Sequence, residues 1–161
     1  MSRNRYKNFN EVKATKGGNW LLPGNYLLQV QRCLESTSDA NGKEFFIAEF
    51  VVLESDNEKI KSESEVSWVV NYEGQFPKLA LQNIKGFAEA AFASLAVANG
   101  DQFVDDVGQE HMDAVLGEEN CLAGVYVTAK AFDKATRDGG TFTRINWSCP
   151  SPSKLVELVA A

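Results

Sequence analysis

Gly124-Val125-Tyr126-Val127-Thr128-Ala129-Lys130-Ala131-Phe132, then Asp138-Gly139-Gly140, then Thr141-Phe142-Thr143-Arg144-Ile145-Asn146-Trp147-Ser148: this stretch decides how the chain is read. Val125, Val127, Ala129 and Ala131 alternate with Tyr126, Thr128, Lys130 and Phe132, the period-2 pattern of a strand with one face on a core. The Asp-Gly-Gly step supplies residues that accept positive φ and turns the chain back into a second strand. In that strand Phe142, Arg144 and Asn146 alternate with Thr141, Thr143, Ile145 and Trp147. A β-hairpin is therefore expected, with strands over about 121–132 and 141–148.

Upstream, three more strands and a helical stretch are legible. Leu21-Leu22-Pro23-Gly24 is a turn into a strand at 25–34, where Tyr26, Leu28, Val30 and Leu34 alternate with Gln29, Gln31 and Cys33. Asp39-Ala40-Asn41-Gly42 turns into a strand at 44–53 that is apolar on both faces apart from Glu49, hence central in its sheet. The charged segment 54–65 is a loop, and a third strand at 66–72 puts Val66, Trp68, Val70 and Tyr72 on one face. Gly74 and Pro77 break the chain. From Lys78 to about Ala98, Ile84, Phe87, Ala88, Ala91, Phe92 and Leu95 recur at spacings of three and four, the stripe of an amphipathic helix. A second, acidic helix is expected over 102–116, capped by Asp101 and burying Phe103, Val107, Met112, Val115 and Leu116.

Three strands, a helical insertion and a hairpin are the wiring of a five-stranded OB-type β-barrel, here mainly β with one or two helices between strands three and four. Such barrels often bind single-stranded nucleic acid. Residues 1–19 read as a basic flexible arm, 20–150 as the OB-fold domain and 151–161 as a C-terminal tail or short helix.

The 161 residues, 44% hydrophobic, are enough for one core. No apolar run is long enough to span a bilayer, and the basic N-terminus is followed by no apolar signal segment, so a soluble, unexported protein is expected. Cys33, Cys121 and Cys149 are odd in number and lack a CxxC pair, which argues against a disulfide framework or a zinc site. The net charge is −6, but it is unevenly placed. Residues 1–16 hold Arg3, Arg5, Lys7, Lys13 and Lys16 against Glu11, a local +4, and the rest carries −10. Asp101, Asp105, Asp106, Glu110, Asp113, Glu118 and Glu119 form an acidic region, 101–119, without Lys or Arg. A chain polarised this way can bind nucleic acid locally while staying soluble; the charges alone equally fit a frayed basic terminus and a solvated acidic helix.

Little in the chain builds an enzyme. The one histidine, His111, falls within the acidic helix, where a capping or surface role is expected. No Gly-rich phosphate loop, GxSxG or HExxH occurs. The carboxylates of 101–119 sit at scattered helical spacing and read as a solvated face rather than a metal site. No catalytic residue, metal or cofactor is expected.

Strand-borne aromatic and basic residues carry more meaning, because single strands are held by bases stacked on rings and phosphates tracked by cations. The candidates are Lys43 and Phe45 after the first hairpin, Trp68 and Tyr72 on the third strand, and Lys130, Phe132 and Lys134 on the fourth. Arg137, Phe142, Arg144 and Trp147 complete the set around the last hairpin. Trp68 shares a face with Val66 and Val70, and Trp147 lies beside Ile145, so each also fits a core. Phe142 alternates with polar Arg144 and Asn146.

Several pieces together resemble the OB-fold single-stranded-DNA-binding proteins of phage replication modules. They are Leu22-Pro23-Gly24-Asn25-Tyr26; Asn41-Gly42-Lys43-Glu44-Phe45 opening a strand that ends Phe50-Val51-Val52-Leu53-Glu54; a Lys78-Leu79 helix start; and the pair Gly124-Val125-Tyr126-Val127 and Thr141-Phe142-Thr143-Arg144-Ile145-Asn146-Trp147. The resemblance implies sequence-tolerant binding of single-stranded DNA in phage replication or recombination, in the host cytoplasm, with contacts at Gly42, Lys43, Phe45 and the last hairpin. Bacterial-type members commonly end in an acidic tail that recruits partners. Here the acid lies internally, so phage replication or recombination proteins are expected at 101–119, with self-association also open. The alternative function is a phage structural or assembly protein whose small β-barrel serves protein contacts.

Overall fold

Gly24–Thr37 (β1), Glu44–Ser55 (β2), Glu65–Asn71 (β3), Tyr126–Ala135 (β4) and Thr141–Ser148 (β5) form one antiparallel sheet in the order β3-β2-β1-β4-β5. Helices α1 (Pro77–Ala98) and α2 (Gln109–Leu116) lie between β3 and β4, and α3 (Pro152–Ala160) follows β5. The computed structural model describes residues 22–37, 42–72, 77–102, 107–135 and 141–160, without the side chains of 77–79, 134–135, 141–143 and 160. The basic arm expected over 1–19 lies outside the described residues.

The expected strands are all present, with shifted ends. β4 begins at Tyr126 rather than near 121, because residues 121–124 form a turn in which Gly124 has φ 87°. The second helix begins at Gln109, not 102. The N-cap is Gly108, whose backbone N–H donates to Nδ1 of His111 in the first turn at 3.0 Å, and not Asp101. The Asp101 carboxylate instead accepts from the Gln102 backbone N–H (2.8 Å).

β1 is the middle strand and carries two register shifts, one at Leu27/Leu28 and one at Val30/Arg32. Bulges raise local twist and bend a sheet. No backbone ladder joins β3 to β5 among the described residues, so in place of the closed barrel the hydrogen bonds draw an open sheet. The two edges nevertheless meet through side chains, the Trp68 and Trp147 rings lying 4.9 Å apart between centroids.

Under this contact lies Phe87 of α1, fully buried, with ring centroids at 5.0 Å from Trp147, 5.7 Å from Trp68 and Phe50, and 6.2 Å from Phe46. The rings cross at 57–83°, the tilted and edge-to-face geometry that suits their quadrupoles. Room for the large β5 side chains comes from β4, where Ala129 stands opposite Trp147 and Ala131 opposite Ile145. Tyr26, Leu28, Val30 and Cys33 of β1 complete the core face.

The first half of β2 is buried on both sides, as its sequence implied. Phe46, Ala48, Phe50 and Val52 face the core, and Phe45 and Ile47 on the opposite side are buried as well. Ile47 is flanked there by Leu34 and Val69, and Phe45 by Ser36 and Asn71.

Two polar ties fix the loops. Asn120, itself at φ 45°, clamps β1 by accepting from the Cys33 backbone N–H and donating to the Cys33 carbonyl, both at 2.7 Å. Asp56 accepts from the Asn25 backbone N–H and side-chain amide, also at 2.7 Å each. Gly24 sits against that carboxylate at φ 149°, and a Cβ there would meet Asp56 Oδ1 at 2.7 Å, so only glycine fits.

Removing the ring at the centre of the cluster leaves a cavity that rigid strands cannot fill. Phe87→Ala is expected to destabilise the fold by ~3–5 kcal/mol, read as a lower urea midpoint. A shift no larger than that of an exposed-site control would remove Phe87 from its central role.

Burial pushes the Cys33 thiol up to about 12 from its ordinary 9.0, helped by Cys121 and Glu49 nearby. The folded chain then holds a proton that the unfolded chain releases. The stabilisation is complete below about pH 9 and is lost as the pH rises toward 12, at up to ~1.4 kcal/mol per pH unit. Tyr26 and Tyr72, whose phenols are also pushed up by burial, act in the same direction. Alkaline urea titrations of the natural chain and Cys33→Ala isolate the cysteine: the variant is expected to lose less stability between pH 9 and 11, and identical slopes would refute the assignment.

Candidate nucleic-acid interface

The side of the sheet away from α1 carries the even-numbered residues of β4 and β5. Register pairs Phe132 with Arg144, Lys130 with Asn146 and Thr128 with Ser148. β1 extends these rungs, Asn25 standing opposite Lys130, Leu27 opposite Thr128 and Gln29 opposite Tyr126. Lys130, Arg144 and Asn146 are exposed and Phe132 and Tyr126 half-buried, whereas Ile145 and Trp147 between them pack on the core. Directly opposed residues hold their Cβ atoms ~4.5–5.5 Å apart, so Phe132 and Arg144 present a ring and a guanidinium side by side. Lys130 lies one rung further along, ~7 Å at strand rise.

The carboxylates on this side are mostly engaged. Glu49 pairs with Arg32 across β1 and β2. Glu54 pairs with Lys154 of α3 at 2.6 Å, and that ammonium also meets Glu157 at 3.8 Å. These contacts hold the Lys154 ammonium above its ordinary range, the Glu54 hydrogen bond foremost. Asp56 stays ionised, held below the usual carboxylate range by the Asn25 side-chain and backbone donors. A shallow groove of about 510 Å³ runs between Glu54 and Asp56 on one side and Thr128, Lys130 and Ser148 on the other. Glu54 and Asp56 make one wall acidic, and Lys130 is the cation on the other.

The sequence candidates divide. Lys130, Phe132 and Arg144 are brought together on this face. Lys134 and Phe142 are paired in register at the next described rung, their side chains outside the described residues, as is Arg137 entirely. Lys43 is exposed beside Gly42, whose φ is 69°. Two aromatic candidates are corrected. Phe45 and Trp68 are each only 8% exposed and offer no ring face to a base, Phe45 because β2 is covered on both sides and Trp68 because it packs on Phe46, Phe87 and Trp147. Tyr72 lies half-buried near the other end of β1, hydrogen-bonded to Glu35. Tyr126, Asn25 and Asn146 share the face and were missed; the alternation of Tyr126 with Lys130 and Phe132 was the available signal.

Among the described residues no group of three or more His, Cys, Asp or Glu side chains gathers as a metal site, and no helix is long and apolar enough to cross a membrane. No protein-family model and no curated protein matches the chain.

Proposed function

We propose that the chain binds single-stranded DNA with little sequence preference, on the outer face of β1, β4 and β5, as a partly open OB-type barrel. The observation that carries the reading is the cross-strand pair of Phe132 and Arg144 with exposed Lys130 one rung away. A ring that stacks on any base, beside cations that follow the backbone, is the sequence-tolerant mode of single-strand binding. Asn146, opposite Lys130, adds a neutral donor and acceptor for sugar or base edges, whereas the Asn25 amide on the other side of Lys130 is held by Asp56. The barrel reading is supported by five antiparallel strands in the order β3-β2-β1-β4-β5, helices inserted between β3 and β4, and edges joined by the Trp68–Trp147 contact. Barrels of this kind are often incompletely closed. The role that follows is protection of single strands in phage DNA replication or recombination, in the host cytoplasm and without catalysis.

Fluorescence anisotropy with labelled oligo-dT at two salt concentrations tests the reading. Binding is expected to favour the single strand over a duplex of equal length and to weaken with salt, at a slope of about −0.7 per phosphate contacted. Equal or tighter duplex binding, or none at low salt, overturns it in favour of a barrel used for protein contacts.

The face itself is tested by substitution. Phe132→Ala and Arg144→Ala are each expected to weaken oligo-dT binding, by ~1–3 kcal/mol for the lost ring, with little change in melting temperature. Phe45→Leu, on a buried ring, leaves the affinity unchanged. The reverse ranking would move the site toward the β1–β2 turn.

A further inference from the structure

At the opposite end of β1 the surface has the reverse character. A groove of about 560 Å³ opens between α1 and α2, floored by Ile84, Met112 and Leu116 and bordered by Leu81, Glu35 and Asp113. Leu81 is 58% exposed, a large apolar side chain left on the lip of the groove. The surroundings are acidic: besides Glu35 and Asp113, the exposed Glu110, Glu118 and Glu119 lie on α2 and the turn after it, and Lys85 is the cation among the lining residues. The Tyr72 phenol at the β3 side donates to Glu35 and is held in its protonated form by burial and by that carboxylate.

We infer that this groove docks a cationic amphipathic segment of a partner protein, its apolar side chains seated between Leu81, Met112 and Leu116 and its lysines or arginines on Glu35 and Asp113. Charge complementarity selects the occupant. The acidic border repels phosphate, so the groove is not a continuation of the nucleic-acid face. An apolar trough between two helices takes leucine-sized anchors at helical spacing, the helix-in-groove mode. The volume accommodates only a few such side chains, consistent with a short segment. The inference is independent of nucleic-acid binding, because the two surfaces lie at opposite ends of β1.

The test uses the full chain and a fluorescein-labelled peptide of leucine and lysine alone, arranged with leucines at i, i+3, i+4 and i+7. A scrambled peptide of equal composition is the control. The patterned peptide is expected to bind saturably at one per chain and at least about tenfold more tightly than the scrambled one. Leu81→Asp and Asp113→Lys, both at exposed positions, are each expected to weaken the patterned peptide about tenfold or more while oligo-dT binding persists. Absence of binding, equal affinity for the scrambled peptide, or full affinity in both variants overturns the inference. Loss of oligo-dT binding in the natural chain, with peptide binding intact, would count against the nucleic-acid reading alone.

Discussion

Phe87 holds together what the backbone does not. Strands β3 and β5 end the sheet without a ladder between them, and an open edge exposes unpaired N–H and C=O groups that invite unwanted pairing. The ring from α1 reaches Trp68 on one edge and Trp147 on the other, so one helix residue couples strands far apart in sequence. The bulges of β1 supply the bend, and the alanines opposite Ile145 and Trp147 supply the space. One cost is visible: Trp147 Nε1 is buried without a hydrogen-bond partner among the described residues, as is Ser94 Oγ on α1. Keeping tryptophan there despite an unsatisfied N–H, itself ~1–3 kcal/mol, indicates how much the ring's packing contributes.

The same strands that fill the core expose the candidate site, and the pleat separates the two roles. Along β5, Ile145 and Trp147 turn inward and Arg144 and Asn146 outward. Along β4, Ala129 and Ala131 turn inward and Lys130 outward. Outward residues on hydrogen-bonded strands are held in position by the ladder rather than by their own contacts, which lowers the entropy lost when a ligand binds. β2 divides less cleanly: its outer face is buried at Phe45 and Ile47 and half-buried from Glu49 to Leu53, where it carries a paired carboxylate and no cation.

Much of this was legible in the residues. Alternation gave the five strands and the facing of β5, and the three-four spacing gave α1 with Phe87 on its buried stripe. What escaped follows from non-local packing. Nothing local distinguishes Phe45 beside Lys43 from a surface ring, because its burial depends on the second covered face of β2. Trp68 fitted either facing of a polar-and-apolar strand until its contact with Trp147 decided it. The start of α2 was misplaced because Asp101 is a favoured capping residue, whereas the actual cap is a glycine N–H bound by a histidine three residues on, a pairing outside the usual preference. The order of elements implied a closed barrel, but closure depends on β3–β5 pairing, which no local pattern encodes.

Net charge is a poor guide to what such a chain binds, and the layout shows why. The acids of α2 and its following turn lie near the Glu35 end of β1, and the Phe132–Arg144 rung near its Gly24 end, about 11 residues or roughly 35 Å along the strand at ~3.3 Å each. Curvature shortens that path. Even so, it is several times the screening length of about 8 Å at physiological salt, so the distant carboxylates add little to the potential felt by a phosphate at Arg144. Of the nearer ones, Glu49 and Glu54 are matched by Arg32 and Lys154, and exposed Asp133 follows Phe132 on β4. What a phosphate meets locally is Lys130 and Arg144, with Glu54 and Asp56 on the acidic wall of the groove. On the proposed reading, a chain of net charge −6 would use Lys130 and Arg144 on its strand face and the acids of its helix face separately. Lower salt, by lengthening the range of both, is the condition under which each would sense the other.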